Sequence, residues 1–290
     1  MKNILITIIS LLITAMVSAQ SNVIYTDEDV IYTDEDQQIF NQYISYISSE
    51  NNPQALDDLL EKTALFFLNS PYVAHTLETD GDESAVVNLR EFDCTTYIET
   101  VVALTQTVRS QVLSFDNFIK KLNTLRYRDG IVDGYSSRLH YFTDWLYNNE
   151  KGGVLKNITP LTGGITEEKQ LSFMSTHRNS YSQLKLNDKN LSEIINIEKE
   201  INDRGGISSI PKSKIVEIDS RIPHMSIIAF TTSISGLDVT HTGFAYQKDG
   251  ELTFIHASST KNKVIIDSST VSEYCNLQKT CTGIIVSKLL

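Results

Sequence analysis

The hydrophobic period changes once along this chain, at Gly205-Gly206, and that change fixes its class. Before the two glycines, apolar residues recur at helical spacing; after them they gather in short strand-like segments separated by turns. Helices are expected at 37–48, 53–68, 115–125 and 191–204. In the second of these Pro53 suits a first helical position, and Leu56, Leu59, Leu60, Ala64, Phe67 and Leu68 form one stripe. Ser114 is placed to cap the third, and the glycine pair stops the fourth. Strands are expected at 225–232, 239–246, 251–257, 263–267 and 283–288, separated by turns such as Lys248-Asp249-Gly250. Helices first and an antiparallel sheet afterwards make an α+β fold. Without an obvious linker, residues 37–290 read as a single enlarged domain.

A further helix is expected to start at Cys94, in the run Arg90-Glu91-Phe92-Asp93-Cys94-Thr95-Thr96-Tyr97. Tyr97, Ile98, Val101, Val102, Leu104, Thr105 and Val108 give it a broad buried face. Its first turn has unpaired N–H groups and the positive end of the dipole, which favour thiolate over thiol. Far downstream, His241 and His256 lie on strand-like segments, about one strand-turn-strand apart, so they can be neighbours across an antiparallel pair. A cysteine at a helix start followed by a strand histidine is the order of papain-like cysteine hydrolases. The residues thus imply a cysteine amidohydrolase, against the alternatives of a buried small apolar cysteine and a sheet-edge histidine. Cys275 and Cys281 could close a small disulfide loop, leaving Cys94 as the odd thiol.

Residues 1–19 have the form of a signal peptide: Lys2, an apolar core at 4–17 and the small residues of Val17-Ser18-Ala19. The apolar run is short for a membrane span, and no cysteine follows it to carry a lipid, so no membrane anchor is expected. Export follows, with the periplasm preferred to full secretion. A net charge of −11 argues against nucleic acid as a partner. Residues 23–29 recur without change at 30–36, with acidic residues and no basic one, and read with residues 20–22 as a flexible, solvated tail.

The stretch 127–164 is rich in aromatic, glycine and charged residues, as ligand-contacting surfaces are. Arg138 is the best candidate for gripping a substrate carboxylate, the alternative being an ion pair with Asp144 or Asp133. Tyr135, Ser137, Tyr141 and Trp145 could line a sugar or peptide groove, with Trp145 and Phe142 expected in the core. His75, His140, His177 and His224 have no metal-ligand spacing, and no phosphate loop or dinucleotide fingerprint is present. Neither a metal nor a cofactor is called for.

The segment Asn88-Leu89-Arg90-Glu91-Phe92-Asp93-Cys94-Thr95-Thr96-Tyr97-Ile98-Glu99 resembles the signature of a bacterial family described as N-acetylmuramoyl-L-alanine amidase-like, within the NlpC/P60 superfamily of cell-wall hydrolases. The segments from Tyr135 to Trp145, from Phe173 to His177, Gly236-Leu237-Asp238 and His256-Ala257-Ser258-Ser259 are similar to further motifs of that family, in its order, over roughly residues 65–290. The resemblance implies a papain-like fold with helices packed on an antiparallel sheet and family-specific insertions. It implies a Cys94 nucleophile, a His241 general base, His256 as its orienting partner and Tyr72 near the oxyanion. The implied substrate is peptidoglycan or a muropeptide, cut at the N-acetylmuramoyl-L-alanine amide. Alternatives are a γ-D-glutamyl endopeptidase and a non-catalytic wall-binding module. The family usually has glycine where this chain has Ser70 and His75, and Gly-Asp where it has Met225-Ser226.

Overall fold

A computed structural model of the chain describes residues 24–27, 30–49, 55–79 and 81–290. The leader expected at 1–19, the join of the repeat at 28–29 and Pro53 lie outside these residues. The first half is built from β1 (Ile24–Asp27), β2 (Val30–Thr33), α1 (Asp34–Ser49), α2 (Leu56–Phe66), β3 (Ala85–Val86), α3 (Cys94–Arg109) and α4 (Phe115–Arg126). Ser114 caps α4 as expected, its side chain accepting from the Asn117 N–H.

The repeat is where the sequence expectation needs correcting. Its second copy is folded: β2 pairs antiparallel with β1 and parallel with β3, and α1 begins inside the copy, at Asp34. Asp36 is fully buried, with Oδ2 accepting from the Thr33 N–H at 2.8 Å and Oδ1 from the Leu89 N–H at 2.8 Å. Arg90 Nε lies 3.1 Å from the same Oδ1. A count of charges within the repeat could not reveal this partner, more than fifty residues along the chain.

The middle of the chain forms α5 (Phe142–Lys151), β4 (Leu155–Asn157), β5 (Ile165–Glu167), the short turns α6 (Phe173–Thr176) and α7 (Ser182–Lys185), and α8 (Asp188–Asp203). Then come β6 (Ile207–Pro211), α9 (Ile215–Ile218), β7 (Ile227–Thr232), β8 (Val239–Lys248), β9 (Glu251–Ser258), β10 (Lys263–Ile266), α10 (Val271–Leu277) and β11 (Cys281–Leu289). The main sheet runs in the order β10-β9-β8-β7-β11-β6-β5, with β4 also on β11, and every pair is antiparallel. The α+β class follows.

Period-two alternation divides this sheet between two cores. Ile227, Ala229, Phe244, Ile255, Ala257 and Ile285 join the core of the N-terminal helices, with Tyr97, Val101 and Leu104 of α3 at its centre. Their neighbours Ile228, Phe230, Ala245, Phe254, Ile284 and Val286 point the other way, against Ile215, Ile218, Val271 and Cys275. Both faces are therefore buried, which is why the expected strands read as nearly continuous apolar runs. A third cluster, including Tyr135, Tyr141, Leu171, Met174 and Ile194, seals the middle segment onto this frame. Among the described residues no helix is long and apolar enough to cross a membrane.

Candidate active site

Cys94 opens α3, and Asp93 caps it. The Asp93 Oδ1 accepts from the N–H groups of Thr95 at 3.0 Å and Thr96 at 2.8 Å, while Thr96 Oγ1 accepts from the Asp93 N–H at 2.9 Å. This reciprocal box locks the first turn and leaves the Cys94 N–H outside the cap. Just before it, Phe92 is laced to the segment Pro71-Tyr72-Val73: its N–H donates to Pro71 O and its carbonyl accepts from Val73, both at 3.0 Å. Tyr72 also donates its N–H to Asn262 O at 3.0 Å, so its loop is clamped between the cysteine strand entry and the turn before β10.

On the sheet side, Thr242 of β8 donates its hydroxyl to the Cys94 carbonyl at 2.9 Å. That bond docks β8 on the helix start one residue from His241. His241 Nε2 lies 2.6 Å from His256 Nδ1, so the structure brings the two sequence-predicted histidines together. The approach needs Gly243. A Cβ there would sit 2.7 Å from Phe254 Cδ2 and 3.1 Å from His256 Cβ, in the space between the histidines' strands.

Two groups at this site were missed in the sequence. Asp267 places Oδ2 at 3.1 Å from His256 Nε2, extending the His241–His256 pair by a third group. Tyr274 packs its ring 5.7 Å from that of His241 and 5.9 Å from that of His256. Its helix α10 is tied down by the Cys275–Cys281 disulfide, which leaves Cys94 as the free cysteine. Asp267 lies just past β10, and only the β9–β10 register, with Ile265 opposite His256, would have brought it into view.

The electrostatics correct the expectation of a thiolate. Burial, with the Asp93 charge second, pushes the Cys94 thiol from 9.0 up to about 11. The helix start does favour a negative charge, but this one is only partly exposed and sits beside a carboxylate. Burial likewise pushes both imidazoles below their ordinary value; at His241 the neighbouring His256 adds to the effect, and at His256 Asp267 opposes it. These directions favour a neutral thiol and neutral rings at rest. Tyr72, raised to about 12 by burial and then by the Cys94 and Asp93 charges, keeps its proton and can donate.

A cleft of about 440 Å³ opens beside the helix start, lined by Asp93, Thr95, Tyr135, Arg138, His140 and Glu78 among others. Arg138 stands in its wall, but its partners correct the expected ones. They are Glu78 at 2.8 Å and Glu83 at 3.3 Å, from the loop between α2 and β3. Asp144 instead pairs with Arg128 at 2.7 Å and Arg204 at 2.6 Å. A carboxylate reaching Arg138 would replace Glu78, the more exposed partner at 29% against 5%. Ser137 lies outside this cleft and lines a separate concavity with Arg128 and Glu193. There its hydroxyl serves a turn, donating to Gly134 O at 2.8 Å and accepting from the Asp133 N–H. Trp145 is buried, and Phe142 stacks on it at 5.4 Å.

The other motif residues interlock with one another. Ser172 and Phe173 donate their N–H groups to Gly236 O, each at 3.0 Å. Asp238 Oδ2 accepts from the Thr143 N–H and hydroxyl at 2.8 and 2.9 Å, and the Tyr141 hydroxyl donates to Glu198 at 2.7 Å. Tyr141 and Phe173 belong to the same packed cluster as Tyr135 of the cleft.

Comparisons with known proteins agree with this frame. Residues 62–284 match the profile of the family described as AmiA-like, N-acetylmuramoyl-L-alanine amidase-like. The fold is similar to the crystal structure of an N-acetylmuramoyl-L-alanine amidase from Bacteroides uniformis, at 37% identity and a TM-score of 0.74, over 81% of this chain and 99% of that one. It is similar too to a Bacteroides fragilis protein with a provisional xylanase name, at 36% identity and a TM-score of 0.73, over 78% of this chain and 99% of that one. A Legionella pneumophila protein at 22% identity and a TM-score of 0.65, over 88% of this chain and 94% of that one, shares the fold. The search of curated proteins gives no match. By the extent of the profile match and the identity to a solved amidase, the chain belongs to the N-acetylmuramoyl-L-alanine amidase-like family.

Proposed function

We propose that this chain is an exported cysteine hydrolase of peptidoglycan or its fragments, with a papain-like fold of the NlpC/P60 kind. It cleaves the amide between the lactyl group of N-acetylmuramic acid and L-alanine. The leader supports export to the periplasm, and the family membership supports the bond. The observation that carries the chemistry is the His241–His256 contact of 2.6 Å, on the strand that hydrogen-bonds the Cys94 carbonyl.

Because thiol and imidazole are both neutral at rest, attack and proton transfer are coupled. As Sγ closes on the carbonyl carbon, its proton passes to His241, and His256 accepts the hydrogen bond that steadies the new imidazolium. The Cys94 N–H and the Tyr72 hydroxyl are the donors for the oxyanion. His241 then returns the proton to the leaving amine of L-alanine, and water releases the lactyl acid from the thioester.

Mass spectrometry of digested muropeptides tests this. Stem peptides with a free L-alanine terminus are expected from the wild type and none from Cys94→Ala. A dipeptide left on the sugar would assign the cut to the γ-D-glutamyl bond instead. Turnover that survives Cys94→Ala would end the cysteine mechanism.

A further inference from the structure

Asp267 is held from several sides. Its Oδ1 accepts from the Ser269 N–H at 2.8 Å, its own N–H donates to Phe254 O at 2.9 Å, and its carbonyl accepts from Thr253 Oγ1 at 2.7 Å. What remains, Oδ2, faces His256 Nε2 at 3.1 Å. A carboxylate can only accept, so Nε2 of His256 must carry the hydrogen. The neutral ring has one N–H, and its Nδ1 is therefore a lone pair. That lone pair lies 2.6 Å from His241 Nε2, which must in turn donate. The hydrogen of His241 is thereby committed to Nε2, and its Nδ1 is left bare.

We infer that Asp267 is a positioning residue which, through two rings, fixes His241 in the tautomer whose Nδ1 can take the proton of Cys94. This rests on the roles proposed above for Cys94 and His241. No proton reaches Asp267 in the cycle: the thiol proton stops at His241 Nδ1, and the two ring-to-ring and ring-to-carboxylate hydrogens stay in place. A carboxylate in this position differs from any neutral polar residue because it cannot run the ladder in reverse.

Asp267→Asn makes that difference visible. The asparagine Oδ1 stays with the Ser269 N–H, so its NH2 faces His256 Nε2, which must now accept. His256 then donates from Nδ1 to His241 Nε2, and His241 presents Nδ1–H to the thiol. Long-range 1H–15N spectra of histidine-labelled protein should show both rings as Nε2–H in the wild type and as Nδ1–H in D267N. Muropeptide hydrolysis should lose kcat by at least about a hundredfold with KM little changed, as wrong-tautomer substitutions do. Asp267→Glu keeps an acceptor and should keep the wild-type tautomers; it decides the matter if the asparagine variant does not fold. Unchanged tautomers in D267N, reversed ones in D267E, or reversal in D267N with kcat retained would each overturn the inference. A wild type no faster than Cys94→Ala would instead sink the catalytic reading, and the nitrogen spectra alone would then decide the ladder.

Discussion

Alkylation of Cys94 should behave as that of a thiol rather than a thiolate. With Cys275 and Cys281 joined, Cys94 is the single thiol an alkylating reagent can meet. Its rise from 9.0 to about 11 is roughly two pH units. The ionised fraction at neutral pH is then about a hundredfold below that of an ordinary cysteine. The initial rate of iodoacetamide labelling, followed by intact mass while near-UV dichroism reports a folded protein, should keep climbing through pH 9.0 toward a midpoint near 11. Asp93→Asn refines the test. Asparagine keeps an Oδ1 for the N–H groups of Thr95 and Thr96, so the cap survives while the charge goes. The midpoint should move down, but by less than the whole rise, because burial is the larger cause. A wild-type midpoint below 9.0 would mean that a preformed ion pair with His241 holds the sulfur ionised. The neutral resting site argued above would then be wrong.

Arg126→Met should destabilise the fold strongly: Arg126 and Glu99 pair at 2.7 Å with each side chain 3% exposed, and Arg126 Nη1 also serves Val86 O. The orphaned carboxylate and carbonyl cost about 3–5 kcal/mol, on the order of 10 °C in melting temperature. Burial already raises Glu99 above 4.5, with Arg126 opposing, so the variant raises it further. A raised acid stabilises fully below its unfolded value and loses this as pH climbs through the folded one. Denaturation curves should therefore show the penalty smallest in acid and growing toward neutral pH; a penalty independent of pH would refute the assignment. His75→Gly should stabilise by about 0.5–1 kcal/mol, since a left-handed residue costs about 1–2 and glycine returns about 0.5–1 through chain entropy. His75 is exposed at φ 63°, and urea denaturation would read the gain. Met225, also left-handed at φ 58°, is buried in the core and should not respond in the same way.

Those two positive-φ residues fall where the family pattern has glycine, so the sequence marked a real backbone requirement that other side chains here satisfy at some strain. Helix α3 was legible because cap, thiol and apolar face follow one another without interruption, and β7 to β9 because buried strands leave long apolar runs. Strands β4, β5 and β6 and helix α10 are too short for a period to register. At the site, His241 and His256 could be paired from spacing, whereas Asp267 required the hairpin register. Glu78 and Glu83 sit in an aperiodic loop, so nothing local pointed to Arg138. The raised thiol was illegible for a deeper reason. Local sequence reports the helix terminus, but enclosure is a property of everything packed around it.

The heptad repeat has a consequence at the level of inheritance. Because 23–29 and 30–36 are identical, losing either copy yields one and the same polypeptide, and the surviving seven residues still run directly into Gln37. Its last aspartate keeps the place of Asp36 against Leu89 and Arg90, and only the outer strand of the small sheet disappears. Gain or loss of a whole heptad therefore lengthens or shortens this segment while the anchor of Asp36 on Leu89 and Arg90, just before the cysteine helix, is passed on intact.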